Sequence, residues 1–291
     1  MNRTLKIRLA AGLVFVLGCW GAYTQVALSQ NKQPPELKIN KITDDLYEIE
    51  GDGGNVAVYI TNEGVIMVDD KYEPDFEQIV SKVKSVTSQP IKYILSTHYH
   101  ADHSGGNTKF ISVAEIISTV NAHNNIVKHV QSNAPSGMVA ARVTYTEETD
   151  LFLGGKEVRA RYFGRGHTNG DAMVYFPALK VLHTGDLFTA ATPLIDYPGG
   201  GSLLEWPKTI DTAMQTWDFD TVIPGHGPVT NKAALMTYMT NAETMATRIR
   251  EQIRQGKSED DVKKFMMDQY KWAPTSLNIM WGFPGLMKEL K

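Results

Sequence analysis

The chain has 291 residues, 42% of them hydrophobic, and a net charge of −3. That is enough apolar material for one sizeable globular domain with at most a small appendage. The mild acidity argues against a nucleic-acid partner, which would leave a basic patch.

The first 29 residues read as a secretory signal peptide. Arg3, Lys6 and Arg8 precede an apolar run over 9–17, no further charge comes before Lys32, and Ala27-Leu28-Ser29 is a small-x-small cleavage site. This predicts a periplasmic or secreted protein. Two competing readings also place the domain outside the cytoplasm. Val16-Leu17-Gly18-Cys19 faintly resembles a lipoprotein box, and an uncleaved run would serve as a membrane anchor. Any membrane contact is expected only through this segment. Cys19 is the single cysteine, so cleavage after Ser29 leaves no disulfide and no thiolate ligand.

Residues 30–36 are a polar, proline-containing linker. Residues 37–240 form the expected main domain and 241–291 a helical extension. Strands are predicted at Leu46-Tyr47-Glu48-Ile49, 55–60 and Val65-Ile66-Met67-Val68, with hairpin turns at Asp52-Gly53-Gly54 and Asn62-Glu63-Gly64. Residues 74–86 have helical periodicity, and Ile91-Lys92-Tyr93-Ile94-Leu95 reads as a buried strand. A strand at 114–118 and a helix over 121–131 follow, with His123 and His129 on different helical faces and read as non-ligands. Val143-Thr144-Tyr145 and 158–163 are assigned to a second sheet. Residues 172–176 and 180–183 form a hairpin around Pro177-Ala178-Leu179. Helices are expected over 202–217, 231–257 and 259–270, with a short strand at Thr221-Val222-Ile223. The apolar tail 277–291 reads as packing back on the domain.

The most informative stretch is Ser96-Thr97-His98-Tyr99-His100-Ala101-Asp102-His103-Ser104-Gly105-Gly106. It follows a strand and ends in a glycine turn, where loops carry function. His98 and His100 are spaced to point the same way on an extended segment. One small ion cannot readily take all of His98, His100, Asp102 and His103. Two adjacent ions can, with the first pair on one and the second pair on the other. Imidazole and carboxylate ligands suit zinc, with iron or manganese as alternatives.

His-x-His-x-Asp-His resembles the signature of the metallo-β-lactamase superfamily. Three further contexts match in order: Gly166-His167-Thr168-Asn169-Gly170-Asp171, His183-Thr184-Gly185-Asp186 and Pro224-Gly225-His226-Gly227. The resemblance runs from about residue 37 to about residue 240. It implies an α+β fold, a four-layer αβ/βα sandwich. It implies that His98, His100 and His167 hold one zinc, that Asp102, His103 and His226 hold a second, and that Asp186 bridges them. Asp69 is expected to support the site from behind, or else to be a solvated loop carboxylate. His183 is expected to orient a ligand carboxylate or to be a satisfied core histidine. Asp102 is the candidate catalytic residue, binding metal and orienting or receiving a proton.

The resemblance implies a hydrolase of small molecules, cleaving an ester, thioester, lactone or β-lactam with a hydroxide that bridges the two metals. The best-known metallo-β-lactamases use a cysteine at the second metal, which this chain does not offer. The cysteine-free members usually lack an Asp at position 186. Alternatives are a mononuclear-iron oxidoreductase like the persulfide dioxygenases and a non-catalytic metal-binding domain. No substrate-binding residue is assigned. Asn169, close to His167, and Tyr197, Trp206 or Trp281 in loops are candidates to face the pocket, and the loop 198–202 to shape its entrance, but core or loop roles come first for each.

Overall fold

The computed structural model describes residues 35–132 and 137–291. The signal peptide or anchor at 1–29, Cys19 and most of the linker lie outside the described residues. The rest, Glu36–Lys291, is one compact unit.

The first sheet contains β1 (Lys38–Lys41), β2 (Leu46–Glu50), β3 (Val56–Ile60), β4 (Val65–Val68), β5 (Ile91–Leu95), β6 (Glu115–Thr119) and β7 (Val143–Tyr145), side by side in chain order. It is antiparallel up to β4 and parallel from there on. Parallel neighbours need long crossovers. These contain α1 (Phe76–Val86), then the single turns α2 (Ala101–Ser104) and α3 (Asn107–Phe110), then α4 (Val120–Gln131). The second sheet contains β8 (Glu148–Leu153), β9 (Lys156–Tyr162), β10 (Ala172–Phe176), β11 (Val181–His183), β12 (Thr221–Ile223) and β13 (Thr230–Asn231).

The placement of Val143-Thr144-Tyr145 in the second sheet is corrected. This strand pairs in parallel with β6, Ile117 opposite Val143 and Thr119 opposite Tyr145. The crossover through α4 returns the chain beside the strand it left, which an alternating pattern alone does not reveal. β1 and β13 are found where the sequence carries no clear apolar run, and β8 where the run is only Leu151-Phe152-Leu153 after three polar residues.

Alternation along the strands produces the layers. Ala57, Tyr59, Ile66, Val68, Leu95 and Ile117 face Val158, Ala160, Val174, Phe176, Val181 and Ile223 across the middle of the sandwich. Tyr59 and Phe176 meet there edge to face, centroids 5.2 Å apart. The opposite residues of the first sheet, Val58, Met67, Ile94 and Ile116, pack on Ile79 and Val83 of α1. The outer face of the second sheet, with Met173, Tyr175, Leu182 and Val222, is covered by the C-terminal helices. These are α5 (Trp206–Thr216), α6 (Lys232–Arg254), α7 (Glu259–Tyr270) and α8 (Phe283–Leu290). The result is the four-layer α+β sandwich expected.

α5 starts later than the sequence suggests, with Pro207 in its first turn. α7 opens with a capping box between Ser258 and Asp261. The tail does pack back: Phe283, Leu286, Met287 and Leu290 are buried with Trp206 and Ile210. Among the described residues no helix is long and apolar enough to cross a membrane.

Candidate metal centre

The chain after β5 is held before it reaches the first histidine. Thr97 donates its backbone N–H and its hydroxyl to the two oxygens of Asp69, each at 2.7 Å. The backbone is extended at His100, and α2 then begins at Ala101. The two histidines converge as the spacing predicts, with His98 Nε2 at 3.2 Å from His100 Nδ1. The single turn of α2 swings Asp102 and His103 to the other side.

The remaining ligand candidates arrive from the second sheet. His167 follows β9, Asp186 lies in a 3₁₀ turn after β11, and His226 follows β12. The structure brings together His98, His100 and His167, then Asp102, His103 and His226, with Asp186 beside His98 and His103. Asp186 Oδ1 lies 3.1 Å from His103 Nε2 and 3.4 Å from His226 Nε2, while Oδ2 lies 3.6 Å from His167 Nε2. Its two oxygens thus face the two groups separately. Close packing demands glycine behind the ligands. A Cβ on Gly54 would sit 2.2 Å from the His103 ring, and one on Gly225 would sit 2.0 Å from Asp186 Oδ1.

The outward ring nitrogens decide what the inward ones can do. His167 Nδ1 donates to the Leu194 carbonyl at 2.6 Å and His103 Nδ1 to Asp69 at 2.7 Å. His100 Nε2 donates to Asp196 at 3.0 Å. The Thr97 hydroxyl has spent its proton on Asp69, so it accepts from His98 Nδ1 at 3.1 Å. In these neutral tautomers each inward nitrogen is a bare lone pair. His167 Nε2 and His100 Nδ1 nevertheless face each other at 2.9 Å. Acceptors meet this way around a cation. Arms of about 2.05 Å arranged tetrahedrally have edges of about 3.3 Å, so the donor set fits a small divalent metal.

Proton and metal compete for the second group. Burial lowers the affinity of His226 for a proton, but hydrogen bonds to Asp102 and Asp186 outweigh it and raise its pKa to about 9. His103 is raised well above its ordinary value by the carboxylates of Asp186, Asp102 and Asp69, against burial. Asp102 is held down at about 2 by His103 and His226, again against burial. In the first group burial and the neighbouring His100 bring His167 down to about 4. His98, His103 and His167 are sealed in the floor, whereas the His226, Asp102 and His100 side chains are 38%, 22% and 18% exposed. The centre therefore opens on one side.

Asp69 is buried at the back of the site, in the left-handed region with φ +63°, and contacts both Thr97 and His103. It is not a solvated loop carboxylate. Holding a non-glycine residue there costs of order 1–3 kcal/mol, a strain that clusters at functional sites. His183 bonds no ligand carboxylate. It donates from Nε2 to the Asn55 carbonyl at 3.0 Å and accepts the Gly185 N–H at 3.2 Å, so it is a satisfied core histidine that secures the turn before Asp186. Trp206 is fully buried and bonded to the Leu187 carbonyl, and Trp281 is exposed. Asn169 accepts from Asn125. His123 donates to the Ala141 carbonyl, away from the ligands.

Sequence reading missed Asp196, which accepts from both His100 and Tyr99. It also missed Asn55, whose side chain donates to the carbonyls of Pro224 and Gly227 and so ties the His226 loop to the first sheet. Neither stands in a pattern that sets it apart. Buried Lys71 donates to the Gly54 carbonyl at 2.6 Å, and burial lowers its pKa to about 8.

An αβ/βα sandwich with histidines and carboxylates gathered at one sheet edge defines a class of metal-binding hydrolases. The sequence profile described as the Metallo-beta-lactamase superfamily matches residues 49–226, and the chain belongs to that superfamily. It is 24% identical to a metallo-beta-lactamase type 2 of Elizabethkingia meningoseptica, over 70% of this chain and 84% of the relative. It is 27% identical to metallo-beta-lactamase IND-1 of Chryseobacterium indologenes, over 59% and 71%. In structure it is similar to a metallo-beta-lactamase from Pontibacter korlensis, with a TM-score of 0.62, 22% identity and coverage of 70% and 99%. The DIM-1 metallo-beta-lactamase superposes with a TM-score of 0.63, 23% identity and coverage of 72% and 98%.

Proposed function

We propose that this chain is an exported dinuclear zinc hydrolase that cleaves an ester, thioester, lactone or β-lactam of a small molecule. In this reading His98, His100 and His167 hold one zinc, Asp102, His103 and His226 the other, and Asp186 spans both. The observation that carries it is Asp186, whose two oxygens are turned toward the two groups. A structural zinc site is closed and four-coordinate, and this centre has more ligands than that and an open side.

Bound divalent zinc supplies a lowered pKa for water and polarisation of a carbonyl. The protein supplies the rest. His98, His103 and His167 form a buried floor. Asp102 lies at the open side and stays ionised, so it can take a proton from attacking water and return it to the leaving group. No Gly-x-Ser-x-Gly elbow occurs in the chain, in keeping with a nucleophile that is not a side chain. The names of the relatives put β-lactams first in the search for a substrate.

The test is turnover of a chromogenic cephalosporin by the zinc-loaded protein, with Asp102→Ala and Asp186→Ala as controls. Turnover lost in both variants assigns a β-lactamase. Absence of turnover with two zinc ions bound moves the search to lactones and thioesters. Unchanged activity and zinc content in either variant overturns the site.

A further inference from the structure

The matched structures cover 97–99% of their own length but only 70–73% of this chain. The C-terminal helix α8 nevertheless reaches the metal centre through one loop. We infer that Glu289 is a positioning residue for the first metal position, acting through the loop that aims His100 and His167. The inference rests on the reading of His98, His100 and His167 as ligands of one metal.

The loop 194–203 does two things for that group. The Leu194 carbonyl accepts a hydrogen bond from His167 Nδ1, and Asp196 accepts from His100 Nε2 and from the Tyr99 hydroxyl. Each contact selects the tautomer that leaves a lone pair facing inward. Such outer partners fix ring orientation and raise ligand basicity. The loop is stitched to the ligand strand by Asp196 N–H to the His167 carbonyl at 2.9 Å and Ser202 N–H to the Gly166 carbonyl at 2.8 Å.

Glu289 closes this loop from the other side. Its carboxylate accepts from the Tyr197 hydroxyl at 2.7 Å, from the Leu203 N–H at 3.0 Å and from the Ser202 hydroxyl. Those donors flank Asp196 on one side and the Ser202–Gly166 contact on the other. Glycine lets the helix come close enough, since a Cβ on Gly285 would lie 2.1 Å from the Tyr197 ring and one on Gly282 would lie 3.3 Å from the Ile195 carbonyl. Glu289 touches nothing in the group Asp102, His103 and His226. Its influence is therefore confined to one of the two metal positions, which a helix that only packs would not achieve.

The experiment is zinc competition against a chromophoric chelator on the full chain. Wild type, Glu289→Ala and Glu289→Gln are compared, each also in a His226→Ala background in which the first position is read alone. The expected result is zinc held about tenfold more weakly at the first position in Glu289→Ala, the order of loss seen when an outer partner is removed. The second position stays as in wild type, and Glu289→Gln, which keeps an acceptor, loses less. Unchanged affinity at the first position overturns the inference, as does an equal loss at both positions. Should Glu289→Ala not fold, Tyr197→Phe removes one donor and keeps the ring. A weakened first position then upholds the inference and an unchanged one overturns it. If wild type itself holds no zinc at the first position, or keeps it in His98→Ala, the ligand reading fails independently.

Discussion

His226 and His167 show how one kind of side chain takes opposite settings within a single centre. His226 is raised to about 9 because Asp102 and Asp186 outweigh its burial, whereas His167 is lowered to about 4 by burial and by His100. A metal can bind only the deprotonated nitrogen. Below about pH 9 a metal at the second group must displace the His226 proton, so its apparent affinity should rise at least about tenfold per pH unit up to about 9, with His103, also raised, adding to the slope. His167 in the first group is already free of its proton above about pH 5, so it adds no such slope over the same range. Chelator competition from pH 6 to 9 reads both slopes, and equal slopes would contradict the assignment. At this scale the residues that converge on the candidate centre were legible in the sequence because each sits in a short motif after a strand. Asp196 and Asn55 were not, because they act from loops distant in sequence and have no spacing of their own.

At the scale of elements, the strands with unbroken apolar runs were foreseen, and the half-exposed edges β1, β8 and β13 were not. A strand buried on both faces must be apolar throughout, whereas an edge strand can be nearly polar. The Phe176 side chain belongs to the first kind, buried between the sheets against Tyr59. Phe176→Ala should lower stability by about 3–5 kcal/mol, the loss for emptying a large aromatic site in a core. Urea unfolding measures it, and a loss under about 1 kcal/mol would mean that the sheets do not meet as described. The parallel pairing of β7 with β6 illustrates the other limit, since a strand signal does not name its neighbour.

For the whole molecule, the centre lies where the ends of both sheets meet, so metal and fold are thermodynamically linked. A metal at a thousand times its dissociation constant adds about 4 kcal/mol to stability. In a domain of this size each kcal/mol shifts the melting temperature by about 2–4 °C. Stripping the protein with a chelator should therefore lower the melting temperature by roughly 10 °C and re-addition of zinc should restore it. An unchanged transition in calorimetry would separate the centre from the fold. The sequence by itself determined which residues are candidates for the centre, their order and the sandwich, because the chemistry of a metal site constrains residue identity and apolar periodicity constrains layers. Only the tertiary structure decided which carboxylate backs which imidazole, that Asp186 turns one oxygen to each group, and that the C-terminal helix braces the loop behind His100 and His167. Those contacts join residues 34 to 96 positions apart, and it is packing, not local pattern, that brings them within reach of a hydrogen bond.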